Sequence, residues 1–150
     1  MKRFRFPLRP VATVRAHQRL KARELFAAAV HQYVQAEERL AAARARVAEL
    51  EGVLFTGRTG TFLAADAAAL LRVYRGECAA AMAAERETIE AREAMQARRR
   101  DYLEADRRLQ VVNRLEDRAR ATHRADLLRA EQAELDELAG FRATRIPALS

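Results

Sequence analysis

The chain has 150 residues, a third of them charged, with six Phe, three Tyr and no Trp. So few large apolar side chains would fill a globular interior poorly, and a composition led by Ala, Glu, Arg and Leu is that of long helices or a coiled coil. The formal charge is +7, a single cysteine (Cys78) excludes an internal disulfide, and no apolar run approaches the ~20 residues that cross a bilayer.

The first stretch, MKRFRFPLRP, alternates Phe4, Phe6 and Leu8 with Arg3, Arg5 and Arg9 and is broken by Pro7 and Pro10. It reads as an extended basic lead-in over residues 1–10. No acid precedes Glu24, so residues 1–23 carry +8 and the rest of the chain nets −1. A field concentrated at one end points to an acidic partner surface, nucleic acid or anionic lipid. The start is basic, as in a signal peptide, but no apolar stretch follows it. An intracellular, cytoplasmic protein is expected.

Pro10 suits a first helical turn, and a helix is predicted over 11–56. Phe26, Tyr33, Leu40, Val47 and Leu54 recur every seven residues, interleaved with Ala22, Ala29, Ala36, Ala43 and Leu50. That is a heptad seam with large knobs on one series and mostly alanine on the other. Close helix approach follows. Gly57 and Gly60 mark a turn over 57–61, with Thr61 an expected N-cap.

A second helix is predicted over 62–141, followed by a tail over 142–150. Its seam reads Ala67, Tyr74, Ala81, Thr88, Met95, Tyr102 and Leu109, with Ala84, Ala91, Ala105 and Val112 as companions and Glu77 and Arg98 as exceptions. The register fails at Glu116 and resumes through Leu128, Leu135 and Leu138, which predicts a stutter between Val112 and Leu128. Gly140 reads as the C-terminal cap, with Pro147 beyond it.

Two helices joined by a short turn pack antiparallel. The expected fold is all-α, a long antiparallel two-helix coiled-coil hairpin forming a single domain over 1–150, with the second helix longer than the first. A turn centred near Arg58 would set residue 12 opposite about residue 106. The second helix would then overhang its partner, leaving Val112, Leu115, Leu128, Leu135 and Leu138 without intramolecular cover. An apolar stripe of that length points to a partner. Next to it, Glu131, Glu134, Asp136 and Glu137 form an acidic cluster.

No catalytic set emerges, and no enzyme activity or cofactor is expected. His17, His31 and His123 are far apart and none stands at a metal-binding spacing. Cys78 has no helix N-terminus nearby to lower its pKa and reads as packing. The glycines of GRTG lack the GK[ST] of a phosphate loop. Arg98, Arg99 and Arg100 beside Tyr102 have the look of a nucleic-acid footprint. Glu90, Glu93, Asp101 and Glu104 surround them, so they read as a solvated face, and nucleic acid is not the expected partner. An Arg-rich nucleic-acid-binding coiled coil stays as an alternative. So does weak attachment of the FRF stretch to a membrane surface.

Both ends of the chain resemble the flagellar export protein FliJ family. The family's opening F-x-F-x-L falls on Phe4, Phe6 and Leu8, followed by Val11 and Arg15. QAEERL at 35–40 is similar to its first-helix pattern. RAEQAELDELAGFR at 129–142 resembles its EQ-x-x-x-DE-x-A stretch, with Glu131, Gln132, Asp136, Glu137 and Ala139 matching. The resemblance implies a non-enzymatic stalk of the flagellar type III export apparatus, or the equivalent stalk of a virulence secretion system. It implies docking in the export ATPase ring, and contact with the export gate protein FlhA and with flagellar substrate chaperones. The protein itself would be a monomer that meets the inner membrane only through those partners. The family's gate-contacting surface falls on Arg39, Ala43, Leu50, Tyr74, Cys78, Ala81 and Glu85. Ala43 and Cys78 are smaller than the aliphatics usual there. The ring contact would fall on the uncovered residues Val112, Leu115, Leu128, Leu135 and Leu138.

Overall fold

A computed structural model describes residues 3–58, 60 and 63–144. Among them are two helices, α1 (Arg9–Arg58) and α2 (Ala64–Thr144), and no strand. The second is the longer, at 81 residues against 50, and the two run antiparallel, as their short connection requires.

Local chemistry sets the ends. Pro7 and Leu8 turn the chain so that the Arg9 N–H donates to the Phe6 carbonyl at 3.3 Å and the Ala12 N–H to the Leu8 carbonyl at 3.0 Å. Pro10 sits in the first turn of α1, where its missing N–H leaves no bond unmade. At the start of α2, the Leu63 carbonyl accepts from the Asp66 and Ala67 N–H groups at 3.0 and 3.1 Å. The Asp66 carboxylate favours the positive end of that helix. The N-cap expected at Thr61 and the tail from residue 145, with Pro147, lie outside the described residues. Gly140 does not cap α2. The helix continues to Thr144, whose hydroxyl donates back to the Gly140 and Phe141 carbonyls at 3.3 and 3.1 Å. Glycine adopts helical dihedrals at a small entropic cost, so it stops a helix only where the backbone turns left-handed. No described glycine has positive φ.

The chain divides into two compact units. The unit Arg19–Ala105 is a paired stretch of both helices with an alanine-lined seam. Ala36 and Ala43 are each 2% exposed and Ala29 8%. The Thr88 hydroxyl donates across the interface to the Ala36 carbonyl at 3.2 Å, which only a small side chain at 36 permits. Phe26 and Tyr102 stack with ring centroids 6.1 Å apart. Ion pairs line the flanks, Arg39 with Glu87 at 3.7 Å, Arg44 with Glu85 at 3.6 Å and Arg46 with Glu77 at 3.0 Å. Their exposure makes each worth at most about 1 kcal/mol, so they set register more than stability.

The other unit, Met1–Gln18 with Asp106–Ser150, corrects two expectations. Val112 is not uncovered. It is 7% exposed, and Phe6 of the lead-in is 8% exposed. Arg9 pairs with Glu116 and the Phe4 ring lies 5.5 Å from that of His123. The helices therefore cross about two turns farther along α2 than a turn centred on Arg58 would give. Nor does the register fail at Glu116. Leu109, Val112, Glu116, Ala119 and His123 keep the 3/4 spacing and are all buried or half-buried. A glutamate fits the seam here because Arg120 and Arg9 donate to its Oε1 at 2.7 and 3.4 Å. The uncovered part of α2 is residues 128–144, every one of them exposed.

The Arg120 guanidinium, helped by Arg9, holds the Glu116 carboxyl below the usual carboxylate range. A depressed folded-state pKa adds stability above the unfolded value and loses it as pH falls through the folded one. Melting of the wild-type chain should therefore fall more steeply below about pH 4.5 than melting of Glu116→Gln, which has no proton to gain. Parallel acid limbs for the two proteins would show that Glu116 contributes nothing through its charge.

Candidate functional site

The seven residues expected at the gate-contacting surface separate into two groups. Ala43 is buried in the seam, and Leu50, Tyr74, Cys78 and Ala81 are half-buried along it. Arg39 and Glu85 are exposed and engaged in separate ion pairs, with Glu87 and Arg44. With the 4/3 seam labelled a and d, Arg39 holds a g position and Glu85 an e position, which are opposite flanks of an antiparallel pair. They are not brought together.

Tyr74 is brought to chemistry that spacing alone would not reveal. Its hydroxyl donates to Glu51 Oε1 at 2.8 Å across the helix pair. That bond, with the neighbouring Cys78 sulfur as a further acceptor, pushes the phenol up to about 12. Tyr74 acts as a hydrogen-bonded wall. It closes one side of an open apolar groove of about 480 Å³, lined also by Leu54, Phe55, Leu70 and Leu71. Phe55, 73% exposed, and Leu63, 74% exposed, are the largest apolar surfaces here. Neither belongs to the set that the family resemblance implies. The available signal was a phenyl ring at an outward heptad position next to a glycine turn.

In the unit that holds the end of α2, Leu128, Leu135 and Leu138 are 65%, 60% and 60% exposed and lie on one stripe of that helix. Glu131 sits within that stripe, and Glu134, Asp136 and Glu137 flank it. Gln132 donates to Asp136 at 3.0 Å, which supports the helix. Leu115, 41% exposed, faces another direction, and Val112 is buried. The five residues expected to form one surface are thus a stripe of three, a separate Leu115 and a seam residue. Phe141, 69% exposed, lies three residues beyond Leu138 and extends the apolar area; a helix capped at Gly140 would have excluded it.

Among the described residues, no group of three His, Cys, Asp or Glu side chains stands close enough to hold a metal ion. No described helix is long and apolar enough to cross a membrane. In the arginine triplet, Arg98 pairs with Asp101 at 3.8 Å. Among the described residues, one unit presents the apolar groove beside Tyr74 and the other the stripe through Leu128, Leu135 and Leu138 with its acidic flanks.

Residues 4–147 match the model of a protein family described as flagellar FliJ protein. No curated protein and no solved structure matches the chain.

Proposed function

The chain belongs to the flagellar FliJ family, and on that premise we propose that it is a non-enzymatic helical stalk of the flagellar type III export apparatus. Its partners would be the export ATPase ring, the export gate protein FlhA and the substrate chaperones. The protein would be a cytoplasmic monomer that reaches the inner membrane through those partners. The observation that carries the proposal is the division of α2. Up to residue 127 buried or half-buried residues recur along it at seam spacing, whereas from 128 to 144 every residue is exposed. A helix kept long beyond its own partner, with an apolar stripe and acidic flanks, is built to be covered by another molecule.

In this reading Leu128, Leu135 and Leu138 insert into the ATPase ring. The groove walled by Tyr74, with Phe55 and Leu71 at its rim, faces the gate. The test is a chain ending at residue 127, measured beside Tyr74→Ala. The shortened chain should keep its helical circular dichroism per residue and lose stimulation of ATPase hexamer assembly. Tyr74→Ala should keep that stimulation and bind FlhA about tenfold more weakly. Wild-type stimulation by the folded, shortened chain would remove the tip from the ring contact.

A further inference from the structure

Within the unit that holds residues 106–150, the charge on one side of α2 reverses along the helix. With the seam at a and d, Arg124 and Glu131 hold b positions one heptad apart, and Leu127 and Leu128 lie between them at e and f. Ala121 and Glu134 extend the same side by a turn in each direction, since three-, four- and seven-residue spacings share a helix face. Before the leucines the helix is basic, residues 118–129 holding Arg118, Arg120, Arg124 and Arg129 against Asp126 alone. After them it is acidic, residues 131–137 holding Glu131, Glu134, Asp136 and Glu137 and no base. Leu127 is half-buried and Leu128 exposed. Arg124 and Glu131 are exposed, and neither forms an ion pair with another described residue.

A partner helix of one charge sign would be repelled by half of this side. The segment that matches it is the same segment read backwards. With two copies antiparallel about a two-fold axis between residues 127 and 128, Arg124 of each copy faces Glu131 of the other. Leu127 then faces Leu128, and Glu134 faces the small Ala121. The symmetry makes every one of these contacts twice. A parallel pair would instead set arginine on arginine and glutamate on glutamate. Exposed ion pairs contribute little each, so the leucines hold the two copies and the charges select their direction.

We propose that this side of α2, through Arg124, Leu127, Leu128 and Glu131, is a self-association face that pairs two copies of the chain antiparallel. The pairing covers Leu128, so it and insertion of the stripe into another protein exclude each other. The monomer of the functional reading is then the form whose stripe is free to meet a partner. The inference rests on the charge pattern and not on that reading, which can stand or fall independently of it.

The test is sedimentation equilibrium of the full chain from about 1 µM to about 1 mM, the range a small interface requires. The mass should rise from 17.0 kDa toward that of a dimer. Arg124→Glu and Glu131→Arg should each weaken association at least about tenfold, because each sets like charges face to face. Mixed one to one, the two variants should associate at least as tightly as the wild-type chain, since every facing pair is then of opposite sign. A chain carrying both changes should recover for the same reason. Leu128→Ser should weaken association whatever the charges. These three positions are exposed, so circular dichroism should be unchanged, and recovery in the mixture shows by itself that both charge variants are folded. A wild-type mass that stays at 17.0 kDa, association indifferent to both charge reversals, or variants that stay apart when mixed would each overturn the proposal. So would a chain that remains monomeric and binds through Leu128 to phosphatidylglycerol vesicles, or to a synthetic leucine helix flanked by Glu or Lys alone. ATPase stimulation is scored separately, and its loss with dimerisation intact counts against the ring contact alone.

Discussion

Ala36→Asp should lower the melting temperature by about 10 °C or more, while Arg99→Ala should leave it nearly unchanged. Ala36 is 2% exposed and lies where α2 comes close enough for Thr88 to donate to its carbonyl at 3.2 Å. A larger side chain there must push the helices apart, which costs about 1–3 kcal/mol. A carboxylate adds the penalty of losing its water without a partner, several kcal/mol more unless it takes up a proton. For a chain of this size each kcal/mol shifts melting by about 2–4 °C. Arg99 is exposed, and removing such a charge alters stability by about 1 kcal/mol at most. Calorimetry on the two variants measures the difference. Similar shifts would mean that the alanine series is not the close-approach face of α1.

The alanine seam was readable because its period is strict and its residue types are unambiguous. Ten consecutive a and d positions from Ala22 to Leu54 are apolar, and burial follows them at every one. Hydrophobicity alone failed where the seam becomes polar. Glu116 looked like the end of the register, yet it is a seam residue whose carboxylate is satisfied by two arginines, one of them 107 residues away in sequence. Arg15 and Arg19 likewise sit half-buried at seam positions, with aliphatic stems that can cover apolar surface. A pattern search that equates core with apolar residues ends such a seam early. A separate assumption, a turn centred on Arg58, sets the pairing of the helices too near the turn and counts Val112 as uncovered. The candidate surfaces were legible in the same uneven way. Leu128, Leu135 and Leu138 stand out by periodicity, whereas the bond between Tyr74 and Glu51 depends on which residues the antiparallel register brings opposite each other.

The lead-in supplies the second large effect, since Phe6→Ala should loosen one unit and spare the other. MKRFRFPLRP cannot be a helix throughout, because Pro7 and Pro10 remove two donors. It substitutes for one. Beyond the first turn of α1, the Phe6 ring takes the place of a helical knob and is 8% exposed, in the same unit as the 7% exposed Val112. Phe4 then lies against His123 with the Arg120 guanidinium 5.6 Å from its ring centre, an arrangement that favours a cation over an aromatic face. Arg120 also donates to Glu116, so the ring, the guanidinium and the carboxylate order one another. Deleting a buried phenyl ring costs about 3 kcal/mol or more in a well-packed site. Here that loss falls on residues 3–18 and 106–127, where contacts are fewest near the chain end. Amide hydrogen exchange should therefore quicken over residues 109–123 in Phe6→Ala, while protection over 74–102 stays as in the wild-type chain. Phe4→Leu should give a smaller change in the same region, since it keeps apolar area and loses only the ring contacts. Unaltered exchange over 109–123 in Phe6→Ala would show that the lead-in rests on α2 without holding it. Val112 would then be accessible to a partner after all.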